Sequence, residues 1–187
     1  MFKKNLPKGK VDSTFSVFHN NIVSINRNLE NVSISLDELD FHFNVSGITE
    51  TKITISNENS FHPSIPGYVF EYVPTPLASG GVGLFVDQSL HYTVLEKTPN
   101  EAFQAIWIEI SFVNHKNIVF GIFYRQHNSP DYFQSYFEEV IENMVSDDKT
   151  IYMMGHFNID LLKCETSQIS QDFLLSLQSC YLTDSNS

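Results

Sequence analysis

An apolar run that stops at a glycine constrains the fold of this chain more than any other stretch. Ile151–Met154 is uninterrupted and apolar, and the sequence turns polar directly after Gly155. Such a run is typical of a buried strand, and a glycine at its end lets the backbone turn sharply. Because strand side chains alternate, His156 and Asn158 are predicted to face one side and Phe157 the other. The pattern favours a core strand that delivers polar side chains into a cleft; the alternative is a strand followed by an ordinary loop.

The length and composition of the chain favour one folded domain. Its 187 residues are 42% hydrophobic and 13% aromatic, which is enough apolar material for a substantial core. No stretch approaches the roughly 18 apolar residues that span a membrane, and the lysine-rich start lacks the apolar segment of a signal peptide. We therefore expect a flexible basic tail at residues 1–12 and a domain at 13–187. We expect an intracellular protein, nuclear or cytoplasmic, that is not secreted and has no membrane partner.

The first part of the domain has the pattern of a strand, a helix and a second strand. Thr14–Asn21 alternates in the manner of a strand, and Phe43–Ile48 has the pattern of a second, buried strand. Since a strand, helix, strand unit makes a crossover, the two strands are predicted to be parallel. Between them, six apolar residues recur at helical intervals and fall on one side of a helix: Ile22, Ile25, Leu29, Val32, Leu36 and Leu39.

Short polar turns between the next strands predict antiparallel pairs. A polar loop at 53–66 comes first, and the strand-like runs follow it: Tyr68–Val73, Val82–Val86, Leu90–Leu95, Phe103–Val113 and Ile118–Tyr124. The second and third of these runs are separated by only three residues, which is hairpin spacing. The last two are predicted to pair through a turn at 114–117.

Two further helices complete the pattern. Ser129-Pro130-Asp131 is a strong helix start, with Phe133, Phe137, Val140, Ile141 and Met144 as the buried face and Asp147-Asp148 at the end. A last helix at 167–181 presents Ile169, Phe173, Leu174, Leu177 and Tyr181. Helices mixed with antiparallel strands predict an α+β fold, a two-sheet β-sandwich flanked by helices on its outer faces. Because the last helix has no strand after it to pack on, we expect the C-terminal part of the domain to be missing; a complete smaller domain with a frayed tail is the alternative.

Polar side chains follow four separate strand ends. Phosphodiester hydrolysis needs a cation, a base or positioner for the attacking water, and donors aimed at the nonbridging oxygens. Glutamate and asparagine oxygens suit magnesium. The four ends carry such groups at Asn21, at Glu50, at Tyr124-Arg125 and at His156 with Asn158. Each group alone is an ordinary turn residue, whereas together they indicate a phosphodiester-cleaving site.

Several short motifs resemble those of the endonuclease/exonuclease/phosphatase superfamily, in the form found in endonuclease domains of non-LTR retrotransposons. Gly155-His156-Phe157-Asn158 is similar to the Gly-Asp-Phe-Asn signature of that family, and the other matching segments are His19–Ser24, Gly47–Thr51, Pro66–Tyr68, Gly80–Leu84 and Phe123–Arg125. The resemblance implies a four-layer αββα arrangement and a metal-dependent DNA endonuclease. It implies Mg²⁺, or Mn²⁺, as the only cofactor and DNA as the partner.

The same resemblance implies roles for individual residues. Asn21 and Glu50 match the metal-binding positions, and Asn158 matches the asparagine that orients phosphate or water. The motif implies a phosphate-contacting hydroxyl at Tyr124 and a cationic donor at Arg125. With 22 acidic residues against 11 basic ones and a formal charge of −11, the chain is expected to bind DNA weakly and in a salt-sensitive way.

Two departures from the family pattern limit what the resemblance implies. His156 stands where the family has its catalytic aspartate, and the family's C-terminal aspartate and Ser-Asp-His motif have no counterpart before Ser187. In addition, the arginine usual near the first motif is Val23 here. The leading hypothesis is therefore an impaired endonuclease domain. A non-catalytic decayed fragment or interaction domain is the alternative, and a sibling enzyme acting on phosphoinositides, sphingomyelin or an inositol phosphate ranks third.

Overall fold

Two four-stranded sheets form the centre of the protein. The structure, a computed structural model, describes residues 15–60, 62–113, 115–127, 132–144 and 149–182. The first sheet has the order β1-β2-β4-β3 and the second the order β5-β6-β7-β8. The strands are β1 (Val17–Asn21), β2 (Val45–Thr49), β3 (Tyr68–Val73), β4 (Val82–Asp87), β5 (His91–Pro99), β6 (Phe103–Ser111), β7 (Asn117–Arg125) and β8 (Lys149–His156).

The sheets pack face to face, and the helices cover their outer faces. The inner layer is an apolar cluster that includes Leu84 of β4 and Ile108 and Phe120 of the second sheet. Helix α1 (Ile25–Glu38) packs on the outside of the first sheet. Helices α2 (Tyr132–Met144) and α3 (Gln168–Leu182) pack on the outside of the second sheet. The predicted four-layer αββα sandwich is confirmed.

The strand, helix, strand unit at the start of the described chain is confirmed. Strands β1 and β2 are parallel, with Asn21 opposite Thr49 at their ends. Of the predicted apolar face of α1, Ile25, Val32 and Leu36 are buried. Leu39 is 52% exposed because the helix has already ended when the chain reaches it.

The predicted hairpin between the runs at 82–86 and 90–95 is wrong. Strand β4 pairs with β2 on one side and with β3 on the other, so neither of its edges is open to β5. Strand β5 instead pairs with β6 in the second sheet. The short connection after Asp87 carries the chain from one sheet to the other, and spacing alone does not separate such a crossing from a hairpin.

The second sheet combines antiparallel and parallel pairs. Strands β6 and β7 are antiparallel, as predicted, and β7 and β8 are parallel. In the described part of the chain β8 lies at the edge of its sheet and is only half-buried, so the expectation of a core strand is wrong.

Among the side chains that the structure describes, which leave out Tyr181, the outer helices of the second sheet match their predicted faces except at Ile169. Phe133, Phe137, Val140 and Ile141 of α2 are buried, whereas Ile169 of α3 is 48% exposed because it points away from the sheet. Several sequence predictions lie outside the described residues: the tail at 1–12, Asn114 in the turn, the helix start at 129–131, Asp147-Asp148 and residues 183–187. None of the described helices is long and apolar enough to cross a membrane.

Candidate active site

The predicted site residues meet at one edge of the sandwich. Asn21 is the last residue of β1, Glu50 directly follows β2, Arg125 is the last residue of β7, and His156 is the last residue of β8. Both strand pairs are parallel, with Asn21 opposite Thr49 and Tyr124 opposite His156. Because parallel strands end on the same side of a sheet, their following residues come together.

A continuous chain of hydrogen bonds joins four of these side chains. The amide nitrogen of Asn21 donates to Glu50 Oε1 at 2.8 Å and lies 3.3 Å from His156 Nδ1. On the far side of the ring, His156 Nε2 lies 2.9 Å from Asn158 Oδ1. The amide nitrogen of Asn158 donates to the Arg125 carbonyl at 2.6 Å. Residues as far apart in sequence as Asn21 and Asn158 thus form one polar cluster.

The donor pattern of this cluster fixes the tautomer of His156. The Asn158 amide donates to a carbonyl through its nitrogen, so its oxygen is the acceptor that faces the ring. The ring must then carry its proton on Nε2 and accept from Asn21 through Nδ1. With this tautomer each hydrogen bond of the chain has one donor and one acceptor. Both ring nitrogens are consequently engaged within the protein.

The backbone at the site takes rare conformations. Glu50 has φ 55° and Asn158 has φ 51°, both in the left-handed region that most side chains avoid. Asparagine tolerates this region, whereas for glutamate it carries a strain cost of about 1–3 kcal/mol. The strain indicates that neighbouring contacts hold the Glu50 loop in place. At Gly155 (φ 152°) an added Cβ would collide with the Phe123 carbonyl oxygen, so glycine is required where β8 turns into the site.

The Tyr124 ring forms the floor of the site. It is 5% exposed and stacks on His156 with the ring centroids 5.6 Å apart. Burial, and then the charge of Glu50, raises the pKa of the Tyr124 hydroxyl above its usual value, and a hydrogen bond with Asn158 opposes that rise. The hydroxyl is therefore protonated at neutral pH and is able to donate a hydrogen bond.

The structure places Arg125 beneath the site loop. Its side chain is almost fully buried, and Nη1 donates to the carbonyls of Phe157 and Asn158, each at 3.5 Å. The guanidinium also lies 5.8 Å from the centre of the Phe133 ring. In this arrangement Arg125 supports the loop that carries Asn158. Phe157 packs into the aromatic cluster on the outer side of the second sheet, opposite to His156 and Asn158, as the alternation predicted.

Sequence reasoning missed His19 as a neighbour of the site. His19 lies two residues before Asn21 on β1, so the two side chains share a face of the strand. Its Nε2 is 3.3 Å from Thr49 Oγ1. Burial first, and the nearby His156 second, lower the pKa of His19 below its usual value, which favours the neutral ring at pH 7. The spacing of two residues from Asn21 was the signal in the sequence.

Two side chains have the oxygen chemistry that a hard divalent cation requires. Glu50 supplies a carboxylate, and the Asn21 amide lies within hydrogen-bonding distance of it. Magnesium is commonly held by one or two carboxylates together with water and substrate phosphates, so this pair fits a site of that minimal kind. In the described ranges no three His, Cys, Asp or Glu side chains group as metal ligands.

Comparisons with known proteins establish the fold class. No family model matches the sequence, and no curated protein matches it. An AP endonuclease from Leishmania major superposes with a TM-score of 0.69 at 12% identity, over 89% of this chain and 66% of that one. The endonuclease domain of TRAS1, a telomere-specific non-LTR retrotransposon, superposes with a TM-score of 0.65 at 12% identity, over 89% and 72%.

A third neighbour extends the comparison. The 3′ phosphatase NExo from Neisseria, in a structure bound to a product DNA hairpin, has a TM-score of 0.54 at 17% identity, over 89% of this chain and 71% of that one. The chain thus has the endonuclease/exonuclease/phosphatase fold, which confirms the resemblance at the level of architecture. It spans about two thirds to three quarters of the length of these neighbours.

Proposed function

We propose that this chain is a metal-dependent DNA endonuclease domain of the retrotransposon type whose catalysis is impaired. The observation that carries the proposal is the hydrogen-bonded cluster of Asn21, Glu50, His156 and Asn158, which gathers side chains from the ends of β1, β2 and β8. Neighbours of the same fold include an AP endonuclease, a retrotransposon endonuclease domain and a 3′ phosphatase bound to product DNA. The neighbour bound to product DNA supports DNA as the partner.

In the proposed site Glu50 and Asn21 hold Mg²⁺ or Mn²⁺. The cation, when bound, neutralises charge on the phosphate oxygens. For Asn21 to offer its oxygen, its amide must rotate, because the nitrogen now faces Glu50. That rotation also withdraws the donor from His156 Nδ1. Metal binding and the hydrogen-bond chain through His156 are therefore coupled in this proposal.

The remaining side chains bind and orient the phosphate. The Tyr124 hydroxyl, protonated at neutral pH because its pKa is raised, donates to a nonbridging oxygen. The Asn158 amide nitrogen donates to the Arg125 carbonyl, and its hydrogen bond with the Tyr124 hydroxyl must open before its second proton reaches the phosphate or the attacking water. Arg125 acts through the carbonyls of residues 157 and 158, which its guanidinium supports.

The proposed impairment of catalysis follows from the imidazole at position 156. A base for the attacking water needs a free lone pair within reach of that water. In His156 the Nδ1 lone pair faces the Asn21 amide and the Nε2 proton faces Asn158 Oδ1. The rotation of Asn21 toward a cation releases Nδ1, but the imidazole still lacks the negative charge of a carboxylate beside the cation.

The same observation supports a second candidate, a non-catalytic interaction domain that retains the fold. A cluster whose side chains bond to one another without a cation needs no turnover to explain it. The two candidates differ in whether the site still binds a divalent cation. The impaired endonuclease retains a weak cation site at Asn21 and Glu50, whereas the interaction domain has none.

Supercoiled plasmid and a thermal melt test the proposal. We expect Mg²⁺ or Mn²⁺ to raise the melting temperature of the wild-type protein, and both Asn21→Ala and Glu50→Ala to abolish that rise. Plasmid nicking by the wild type is expected to be slow and to disappear in Glu50→Ala. Glu142→Ala, which removes an exposed carboxylate from α2, is the matched control and keeps both signals.

Each result separates the candidates. A cation-dependent rise that is unchanged by Asn21→Ala and Glu50→Ala would contradict the assigned ligands. The absence of any rise, together with no nicking, would favour the interaction domain. Rapid nicking that depends on Glu50 would contradict the impairment.

A further inference from the structure

The loop that carries Glu50 is hydrogen-bonded to a turn that contains Gly80 and Gly81. Directly after Glu50, the Thr51 amide donates to the Gly81 carbonyl at 3.2 Å and the Lys52 amide donates to the Gly80 carbonyl at 2.9 Å. Gly80 has φ 96° and Gly81 has φ 83°, conformations suited to glycine. The position of the strained Glu50 loop therefore depends on the position of this turn.

Two glutamines from the second sheet hold the turn from below. Gln104 of β6 is fully buried; its Oε1 accepts from the Gly81 amide at 3.0 Å, and its Nε2 donates to the Asn100 carbonyl at 2.5 Å. Gln126, 8% exposed, donates from Nε2 to the Ser79 carbonyl at 2.9 Å and accepts from Ser79 Oγ at 3.1 Å. Both side chains use their donor and their acceptor on defined partners.

The contact between the turn and the second sheet leaves no room for a side chain. A Cβ at Gly80 would lie 2.5 Å from Gln104 Oε1, 2.6 Å from Gln126 Nε2 and 3.1 Å from the Tyr124 ring. A Cβ at Gly81 would collide with Thr51 Oγ1. The backbone of the turn is thus wedged between the Glu50 loop on one side and the glutamines and Tyr124 on the other.

We infer that Gln104, together with Gln126, is a positioning residue that fixes Glu50 relative to Tyr124 and His156. Glu50 belongs to the first sheet, whereas Tyr124 and His156 belong to the second. The core between the sheets is apolar, and apolar packing is not directional. The path from Gln104 through Gly81 to Thr51 supplies directional bonds from one sheet to the other. The consequence of this path for catalysis rests on the proposed function, whereas the hydrogen bonds of the path do not depend on it.

Hydrogen exchange of the protein without metal or DNA tests the inference. Gln104→Met keeps most of the side-chain volume and removes both hydrogen bonds. We expect the amides of Gly81, Thr51 and Lys52 to lose protection by roughly 10- to 100-fold, the effect of removing one buried hydrogen bond. Strand amides such as that of Ile108 should keep their protection. The side-chain amide signals of Asn21, which donates to Glu50, should shift in the same variant.

Gln134→Met is the matched control. Gln134 is also a partly buried glutamine, and its Nε2 lies 3.0 Å from both Glu138 Oε1 and Ser176 Oγ, between α2 and α3. A loss of general stability would lower protection everywhere in both variants, whereas positioning changes only the Glu50 loop in Gln104→Met. Should Gln104→Met fail to fold, Gln126→Met provides the same test, because it releases Ser79 from the same turn.

The outcomes separate this inference from the proposed function. Unchanged protection at Thr51 and Lys52 in a folded Gln104→Met or Gln126→Met protein would overturn the positioning role, whatever the activity. Local loss of protection supports it even when no variant nicks plasmid, and in that event the proposed function alone fails. If the positioning role and the proposed function are both correct, the cation-dependent rise in melting temperature should shrink in Gln104→Met and persist in Gln134→Met.

Discussion

His156 uses both ring nitrogens to connect Asn21 with Asn158. Two consequences arise at this one residue. Within this cluster the ring has no free lone pair for a proton from water, and an imidazole has no negative charge to set beside a cation. The same ring also stacks on Tyr124, so the imidazole is well packed in its place. A residue that fits the site sterically is thus poorly suited to the hydrolysis that we propose for the site.

Restoring a carboxylate at this position should raise activity. We expect His156→Asp to increase Mg²⁺-dependent plasmid nicking by about 10² to 10⁴, the range that one general base contributes. The carboxylate accepts from the Asn21 amide, adds negative charge for a cation, and leaves space for water because aspartate is smaller than histidine. Initial nicking rates of equal amounts of folded protein measure the effect.

His156→Asn is the control for shape. It has the size of aspartate without the charge, and its nicking rate should stay at the wild-type level. Equal rates for the aspartate and asparagine variants, with both proteins folded, would show that the carboxylate is not what the site lacks.

At the scale of elements, Glu109 ties three strands of the second sheet together. Its carboxylate accepts from the Asn117 amide at 2.8 Å and from Lys149 Nζ at 2.9 Å, so β6 is bonded to the starts of β7 and β8. The bond from Asn117, and then that from Lys149, lowers the pKa of Glu109 below its ordinary value of 4.5. The folded state therefore prefers the ionised carboxylate.

This preference makes the stability of the sheet depend on pH. Because the folded pKa is depressed, the contribution of Glu109 is present above pH 4.5 and is lost as pH falls through the folded pKa. At pH 7 we expect Glu109→Gln to lower the free energy of unfolding by about 1 kcal/mol, since the pair is partly open to solvent. Urea melts at pH 7 and at pH 3 measure the difference, which should shrink at the lower pH.

Glu142→Gln, at an exposed position of α2, is the control and should have little effect at either pH. A Glu109→Gln penalty that stays the same at both pH values would contradict the assigned role of the charge.

The elements also show what a sequence reveals and what it does not. Tyr68–Val73 was predicted with its observed bounds, because its apolar residues and the flanking turns are local signals. The partner of β4 was predicted wrongly, since pairing with β2 and β3 is decided by contacts distant in sequence. The convergence of Asn21, Glu50 and His156 was predicted from strand ends, whereas the roles of His19 and Gln104 depend on neighbours across a sheet or between sheets.

At the scale of the whole molecule, acidic charge opposes DNA binding. The formal charge is −11, and Arg125, the arginine in the site, is buried against carbonyl groups. Lys163, in the short 3-10 helix (Leu161–Lys163) that follows Asn158, forms an ion pair with Asp160 at 3.2 Å. Lys52 and Arg27 lie close in sequence to Glu50 and Asn21. In the described part of the chain, few cations therefore lie where a phosphate backbone would approach the site.

The affinity for DNA should accordingly be weak and salt-sensitive, with a slope set by only a few phosphate contacts. We expect a dissociation constant of about 10⁻⁶ M or weaker and a slope of log K against log salt between roughly −1 and −3, at about 0.9 per neutralised phosphate. Fluorescence anisotropy of a labelled duplex across a range of KCl concentrations measures both. Lys52→Ala should flatten the slope by about one, because it removes a cation beside the site. Lys97→Ala makes the same change of net charge at a lysine paired with Glu71, and it should leave the slope unchanged. A wild-type slope steeper than about −5 would contradict the expectation, because it would require an extended basic surface that the charge of this chain opposes.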